Sequence, residues 1–141
     1  AGHPHGTLML ARRSMLEEVG LFDERYFAYC EEADLALRAA ASGWETGLIR
    51  GALVVNPDLG TRIAVIDYLQ LRNTLLLVRE HSGRYHAFIR GLLAIGQLLG
   101  GMASPARRGP YFVPRARVCA LLDHARGRYG PPPASLLEPP S

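Results

Sequence analysis

The chain has 141 residues, of which 48% are hydrophobic, and its net charge of +3 comes from sixteen basic and thirteen acidic residues. This composition suffices for one domain with a real core and excludes a disordered chain. The charge excess is too small and too scattered to indicate a nucleic-acid-binding protein. Every basic residue is Arg, spread along the whole chain, which favours GC-rich, bacterial coding bias over phosphate recognition by Arg side chains.

Two cysteines, Cys30 and Cys119, fit no zinc or redox spacing and are too few for a disulfide scaffold. A reducing, cytoplasmic setting is therefore the default expectation. The sequence begins without a secretory signal or an initiator Met and enters a strand-like run at once, so we interpret it as a fragment of a longer protein. The longest apolar stretch, residues 91–103, is shorter than the roughly 20 residues that cross a bilayer, so no transmembrane helix is predicted.

The first elements alternate between strand and helix. The apolar run 7–11 predicts a short buried strand. Ser14 and Glu17 form a capping-box pattern for a short helix, and Gly20 is a typical stop signal. An irregular, aromatic-rich segment over residues 22–29 follows.

A second helix is predicted from Glu31, and Gly43 ends it. Residues 44–49 and 52–55 then read as short strands, and residues 56–60 form a turn by their chemistry. The pattern therefore predicts an α/β piece of about sixty residues.

The remainder of the chain is predicted to be helical. Apolar residues recur at helical spacing over 63–79 and 85–100, and a further helix is expected from residue 114 to about 126. Five prolines in the last eleven residues indicate a disordered tail. The predicted organisation is an α/β portion, a helical appendage and this tail, over residues 1–60, 61–130 and 131–141.

Three carboxylates stand within four positions where the second helix starts: Glu31, Glu32 and Asp34. They follow an aromatic segment suited to the wall of a pocket. A carboxylate held there can take a proton from an incoming hydroxyl. The alternative is that all three only complement the helix dipole, as acidic first turns commonly do.

Several segments, taken in order, resemble the C-terminal half of a family 2 glycosyltransferase of the rhamnosyltransferase-like branch, whose catalytic domain has the GT-A fold. The resemblance covers roughly residues 6–133 and rests on the order and spacing of several motifs. These are Gly-Thr-Leu-Met-Leu-Ala-Arg-Arg at 6–13, the segment with Gly-Leu-Phe-Asp-Glu at 19–27, Glu-Glu-Ala-Asp-Leu at 31–35, Ser-Gly-Trp at 42–44, Leu-Arg-Asn at 71–73 and Gly-Arg-Tyr-Gly at 127–130.

The resemblance implies an inverting enzyme that moves a sugar, such as rhamnose, from a nucleotide-diphosphate donor to a polysaccharide or lipid-linked acceptor of cell-wall biosynthesis. It places Glu32 at the position of the catalytic base, where the family prefers Asp, with Glu31 beside it. Asp34 is assigned to support of the helix start. Asp23 either binds the acceptor sugar or, in the favoured interpretation, caps a turn or pairs with Arg25 or Arg38.

The resemblance also implies Mg²⁺ or Mn²⁺ in the intact enzyme. The family's main metal ligands belong to an Asp-x-Asp motif in an N-terminal half that this sequence lacks. Asn56 stands where many relatives carry a metal-binding His. An amide oxygen can ligate a hard cation, but a plain turn before Pro57 is the favoured interpretation. Because the family's main metal ligands and most of its nucleotide site belong to the other half, the fragment alone is expected to be inactive.

The helical segment from Tyr68 to Ala103 places four Arg residues among Leu, Ile and Phe. This pattern suits the inner face of a membrane, where the resemblance places lipid-linked acceptors. A helical hairpin that covers the catalytic domain, or a dimer contact, is the alternative. The competing function is therefore a non-catalytic helical module that binds a membrane or a partner.

Overall fold

The computed structural model describes residues 8–47, 49, 51, 55 and 62–137. Five α-helices follow one another in this part of the chain: α1 (Arg13–Val19), α2 (Glu31–Ala41), α3 (Ile63–Ser82), α4 (Arg84–Ala103) and α5 (Pro114–Ala125). Two short 3-10 helices, Pro105–Arg107 and Ala134–Leu136, follow α4 and α5. No strand occurs among these described residues.

The prediction of an α/β fold, as the C-terminal part of a GT-A domain, is therefore wrong, because the described chain is helical. Residues 8–11, which belong to the first predicted strand, form neither helix nor strand, and Leu8 and Leu10 are exposed. An apolar run does not by itself make a strand, since a strand also needs a neighbour with which to exchange backbone hydrogen bonds. Residues 44–47 are likewise irregular, and most of 48–61 lies outside the described residues.

The helix predictions are confirmed, with bounds that differ by a few residues. At α1 the N-cap is Arg12 in place of the predicted Ser14, two residues earlier. The predicted capping box does not form, and Glu17 pairs instead with Arg13 at 2.8 Å. Gly20 ends α1 at a φ of 86°, in the left-handed region that suits glycine.

The helix α3 lies at the centre of the fold, with α4 and α5 packed against it. A helix that is buried on most of its sides must be apolar there or must pair its polar groups. Both solutions occur in α3, whose nine buried side chains include Asp67, Arg72 and Asn73. The core consists of Val65, Tyr68, Leu69, Leu71, Leu75, Ala94, Ala116, Ala120 and Leu136.

The buried carboxylate of Asp67 fixes the start of α5 against α3. It accepts hydrogen bonds from the Val113 backbone N–H at 2.8 Å and from the Arg117 guanidinium at 2.9 Å. Each charge is thereby paired, which offsets the cost of burying it. Leu136, in the segment that the sequence assigned to a disordered tail, packs into the same core, while residues 138–141 lie outside the described residues.

Candidate functional site

The loop that precedes α2, residues 23–30, holds three non-glycine residues in the left-handed region. Phe27, Tyr29 and Cys30 have φ values of 65°, 68° and 71°. Such conformations cost about 1–3 kcal/mol each and persist only where the surrounding structure enforces them. We call residues 23–30 the strained loop. Because Cys30 is the N-cap of α2, the conformation of this loop sets the position of the first turn of that helix.

The side chain of Asn73 holds the strained loop from inside the molecule. Its Nδ2 lies 2.8 Å from the carbonyl oxygen of Tyr26, 2.7 Å from that of Ala28 and 2.8 Å from that of Tyr29. The side chain of Asn73 is fully buried. The backbone of the strained loop has an unusual conformation in which these carbonyl groups cannot reach water. Asn73 on α3 donates the hydrogen bonds that they need.

Arg72, also fully buried, binds the same loop from the next position of α3. Its Nη2 donates to the carbonyl oxygens of Gly130 at 2.8 Å and of Tyr26 at 3.3 Å, and its Nε donates to Oδ1 of Asn73 at 3.0 Å. The guanidinium also stacks on the Tyr68 ring, 5.0 Å from the centroid. We call these two neighbouring residues the Arg72–Asn73 clamp.

Gly130 closes the arrangement, because its backbone N–H donates to the carbonyl of Arg25 at 2.9 Å while its own carbonyl binds Arg72. Three segments that are far apart in the sequence, 19–27, 71–73 and 127–130, therefore meet at one point. In the sequence these segments are separate motifs of the resemblance, and their spacing does not indicate that Arg72 and Asn73 hold the loop. The signal was present, since an Arg and an Asn stand within a run of apolar residues on a helix.

The first turn of α2 carries the acidic residues. Glu31 and Glu32 are both half-buried, and one carboxyl oxygen of each, Oε2, is buried with no hydrogen-bond partner in the described chain. A buried polar oxygen without a partner costs free energy, and natural proteins tolerate few of them. A proton shared between the two neighbouring carboxyls, or a bound molecule, can supply the missing hydrogen bond.

The pKa of Glu31 is raised above its ordinary value. Burial of the carboxyl is the largest cause, and the charge and hydrogen bonding of neighbouring Glu32 act in the same direction, while the backbone N–H of Glu31 opposes them. Glu31 therefore gives up its proton less readily than an exposed carboxyl would.

An open cleft of about 640 Å³ lies beside this turn. Its wall is formed by Phe22, Asp23, Glu24, Phe27, Glu31 and Pro131. The strained loop thus supplies half of these residues, namely Asp23, Glu24 and Phe27. Glu31 faces this cleft, whereas Glu32 and Asp34 do not line it.

Asp23 is held in place within the loop. Its Oδ1 accepts the backbone N–H of Arg25 at 2.9 Å, and its Oδ2 pairs with the Arg25 guanidinium at 2.7 Å. This hydrogen bonding lowers the pKa of Asp23, although partial burial opposes the effect. Asp23 therefore stays ionised at neutral pH and stabilises the turn that forms one edge of the cleft.

Asp34 lies below the acidic turn and is buried, at 4% exposure. Its two oxygens bind Arg38 Nε at 2.9 Å and His81 Nε2 at 2.8 Å. Arg38 in turn donates to the carbonyls of Val19 and Leu21, at 2.6 and 2.7 Å. Asp34 thus ties α2 to the end of α1 and to the end of α3, which fixes the helix that carries the glutamates.

The described residues offer no ready metal site, since no three His, Cys, Asp or Glu side chains among them lie close enough to share an ion. Asn56 lies outside the described residues. The use of Mg²⁺ or Mn²⁺ by an intact enzyme stays a prediction from the resemblance.

The raised pKa of Glu31 predicts a pH-dependent stability. The pKa of Glu31 is higher in the folded state than in the unfolded state. At pH values between these two pKa values Glu31 is protonated to a greater extent in the folded state, so the free energy of unfolding falls as the pH rises through that range. Replacing Glu31 with Gln removes the cost of an ionised buried carboxyl. We expect E31Q to raise the Tm at pH 7 and the difference from wild type to vanish below about pH 4, where the carboxyl is protonated in both states.

Thermal unfolding followed by circular dichroism at several pH values measures this difference. The exposed Glu45, replaced in the same way, is the matched control and should leave the Tm unchanged. An E31Q variant that unfolds below the wild-type temperature at pH 7 would contradict the assignment of a burial cost to this carboxyl.

Comparison with known proteins reveals a similarity to glycosyltransferases. Over 92 residues the chain is 43% identical to "N-acetylglucosaminyl-diphospho-decaprenol L-rhamnosyltransferase" of Mycobacterium tuberculosis, in the strains CDC 1551 / Oshkosh and ATCC 25618 / H37Rv. The matched region is 62% of this chain and 30% of the relative, so the chain spans less than a third of the length of these proteins. No protein-family model and no solved structure matches the chain. The resemblance to a rhamnosyltransferase-like enzyme is thereby confirmed.

Proposed function

We propose that the chain forms the acceptor side of the active site in a rhamnosyltransferase-like glycosyltransferase. The enzyme would move a sugar, such as rhamnose, from a nucleotide-diphosphate donor to a glycan or lipid-linked acceptor at the cytoplasmic face of the membrane. The similarity to the mycobacterial rhamnosyltransferases supports the transferase class. The geometry at the start of α2 supports a role for this part of the chain in the chemistry.

The observation that carries the proposal is the pair of buried, unpartnered carboxyl oxygens on Glu31 and Glu32. They stand at the end of a loop whose strained backbone is fixed by fully buried side chains. Backbone strain and unsatisfied polar atoms both lower the stability of the fold. A helix start with a purely structural role would gain nothing from either feature. Both features are typical of a site that is organised for a ligand.

In the proposed reaction the acceptor hydroxyl attacks the anomeric carbon of the donor sugar. A bond forms between the acceptor oxygen and that carbon, and the bond from the carbon to the diphosphate oxygen breaks. The resemblance assigns the proton of the hydroxyl to the carboxylate of Glu32, although Glu31 and not Glu32 lines the cleft, so Glu32 acts from behind the wall residue Glu31. The nucleotide diphosphate leaves. Attack from the face opposite the leaving group inverts the configuration.

The neighbouring carboxylates have separate proposed roles. Glu31, which faces the cleft, hydrogen-bonds the acceptor, and its raised pKa reflects the burial of its carboxyl. Asp34 fixes α2 through its ion pair with Arg38 and its hydrogen bond with His81, and Asp23 fixes the edge of the cleft through Arg25. General base catalysis by a positioned carboxylate is worth about 10²–10⁴-fold in rate.

Transfer is tested with the full-length gene product that carries this chain. The protein is incubated with a panel of nucleotide-diphosphate sugars and a polyprenyl-diphosphate sugar acceptor. The mass of the acceptor is then measured by mass spectrometry. The proposal predicts a gain of one sugar residue with release of the nucleotide diphosphate. A folded protein that binds and consumes none of the donors contradicts the proposal and favours the non-catalytic module.

A further inference from the structure

One side of α4 faces away from the rest of the described chain. Its buried residues, Ala87, Ala94, Leu98 and Gly101, lie on one stripe that packs on the fold. Away from this stripe the helix exposes large apolar side chains by 39% to 71% of their surface. These are Tyr85, Phe88, Ile89, Leu92, Leu93, Ile95, Leu99 and Met102. We call these eight residues the α4 face.

The α4 face is wide as well as long. Its members recur at spacings of three and four and also fill adjacent positions, so they cover about half of the helix circumference. A single partner helix needs only about two apolar positions in seven. A helix of twenty residues is about 30 Å long. An apolar surface of this width and length suits a broad, flat partner better than one helix or a peptide.

Arg side chains stand at both ends of the α4 face. Arg84 begins the helix, and the Arg107 side chain lies at its other end, where its Cδ would be 3.5 Å from a Cβ on Gly100. From residue 84 to residue 122 the sequence contains six Arg residues and no Asp or Glu, and of these Arg117 is already paired with the buried Asp67. A second copy of α4 would therefore bring Arg to the interface and no carboxylate of its own to pair with it.

We infer that the α4 face lies on an anionic lipid surface, with the helix parallel to the membrane plane. The apolar side chains enter the boundary between headgroups and acyl chains, and Arg84 and Arg107 contact lipid phosphates at the two ends. None of the helices in the described ranges is long and apolar enough to cross a bilayer. The inference does not rest on the proposed function, because it uses only the surface of α4.

Liposome flotation of the full-length gene product tests the inference. Vesicles of 30% phosphatidylglycerol in phosphatidylcholine are compared with vesicles of phosphatidylcholine alone. We expect binding to the anionic vesicles that weakens as salt is raised, because the Debye length shortens. Replacing both Arg84 and Arg107 with Gln should weaken this binding by about fivefold for each Arg.

The apolar contribution is tested by replacing both Leu92 and Leu99 with Glu, which should weaken binding about tenfold or more. Both side chains are already exposed, at 50% and 60%, so the variant should fold, which circular dichroism verifies. The matched control is L10E, because Leu10 is exposed outside α4 and its replacement should leave flotation unchanged.

Two results would overturn the inference. The first is absence of binding to anionic vesicles, or binding that the Leu92 and Leu99 changes leave intact. The second is a dimer in analytical ultracentrifugation that dissociates in the same double variant, with no lipid binding, because the α4 face would then be an interface between two copies.

Discussion

Replacing Asn73 with Ala is expected to lower the free energy of unfolding by about 3–5 kcal/mol, a large share of the stability of a small domain. The change removes the donor that three loop carbonyls share and the acceptor of the Arg72 Nε. Each buried group left without a partner costs about 1–3 kcal/mol. The strained backbone at Phe27 and Tyr29 loses its support at the same time.

The measurement is thermal or urea unfolding of the purified protein. Gln70, an exposed polar residue on the same helix, is the matched control, and Q70A should stay within about 0.5 kcal/mol of wild type. N73D keeps the size and the Oδ1 acceptor but places a carboxylate against carbonyl oxygens, so it should destabilise at least as much as N73A. If N73A and Q70A have the same free energy of unfolding, the clamp does not hold the loop.

The helical part of this fold could be predicted from the sequence because glycine and proline mark the boundaries of its helices. Gly83, with a φ of 91°, separates α3 from α4, and Pro114 starts α5. The strand predictions failed for a different reason. Short apolar runs such as residues 7–11 suit a strand, an extended segment or a buried loop equally well, and only a pairing partner distinguishes them.

The local part of the candidate site was also within reach of sequence reasoning. Glu31, Glu32 and Asp34 begin a helix as predicted. The distant contacts were not accessible, since the partners of Asn73 lie 44 to 47 residues away in the chain. The left-handed conformation of Phe27 was equally hidden, because the usual signal for it is a Gly or Asn at that position.

The position of Asp34 illustrates the same limit. The sequence suggested that its carboxylate binds backbone N–H groups at the helix start. In the structure it pairs instead with Arg38, four residues on, and with His81, 47 residues on. The spacing to Arg38 is a familiar pattern on a helix, whereas the contact with His81 depends on how α2 packs against α3.

The second large expected effect is on catalysis, where replacing Glu32 with Gln should lower kcat by about 10²–10⁴-fold. The amide has the shape of the carboxyl and can still form hydrogen bonds, but it cannot take up the proton of the acceptor hydroxyl. Donor affinity and Tm should therefore stay close to wild type. The same change at Glu17, which is exposed on α1, is the matched control and should leave kcat unchanged.

The most direct test is the rate of a single turnover with the donor saturating, compared between wild type and E32Q in the full-length gene product. We expect the rate of sugar transfer to fall at least about a hundredfold, with the donor Kd unchanged. A variant that transfers sugar at the wild-type rate would show that another group accepts the proton and that the acidic turn of α2 serves structure alone.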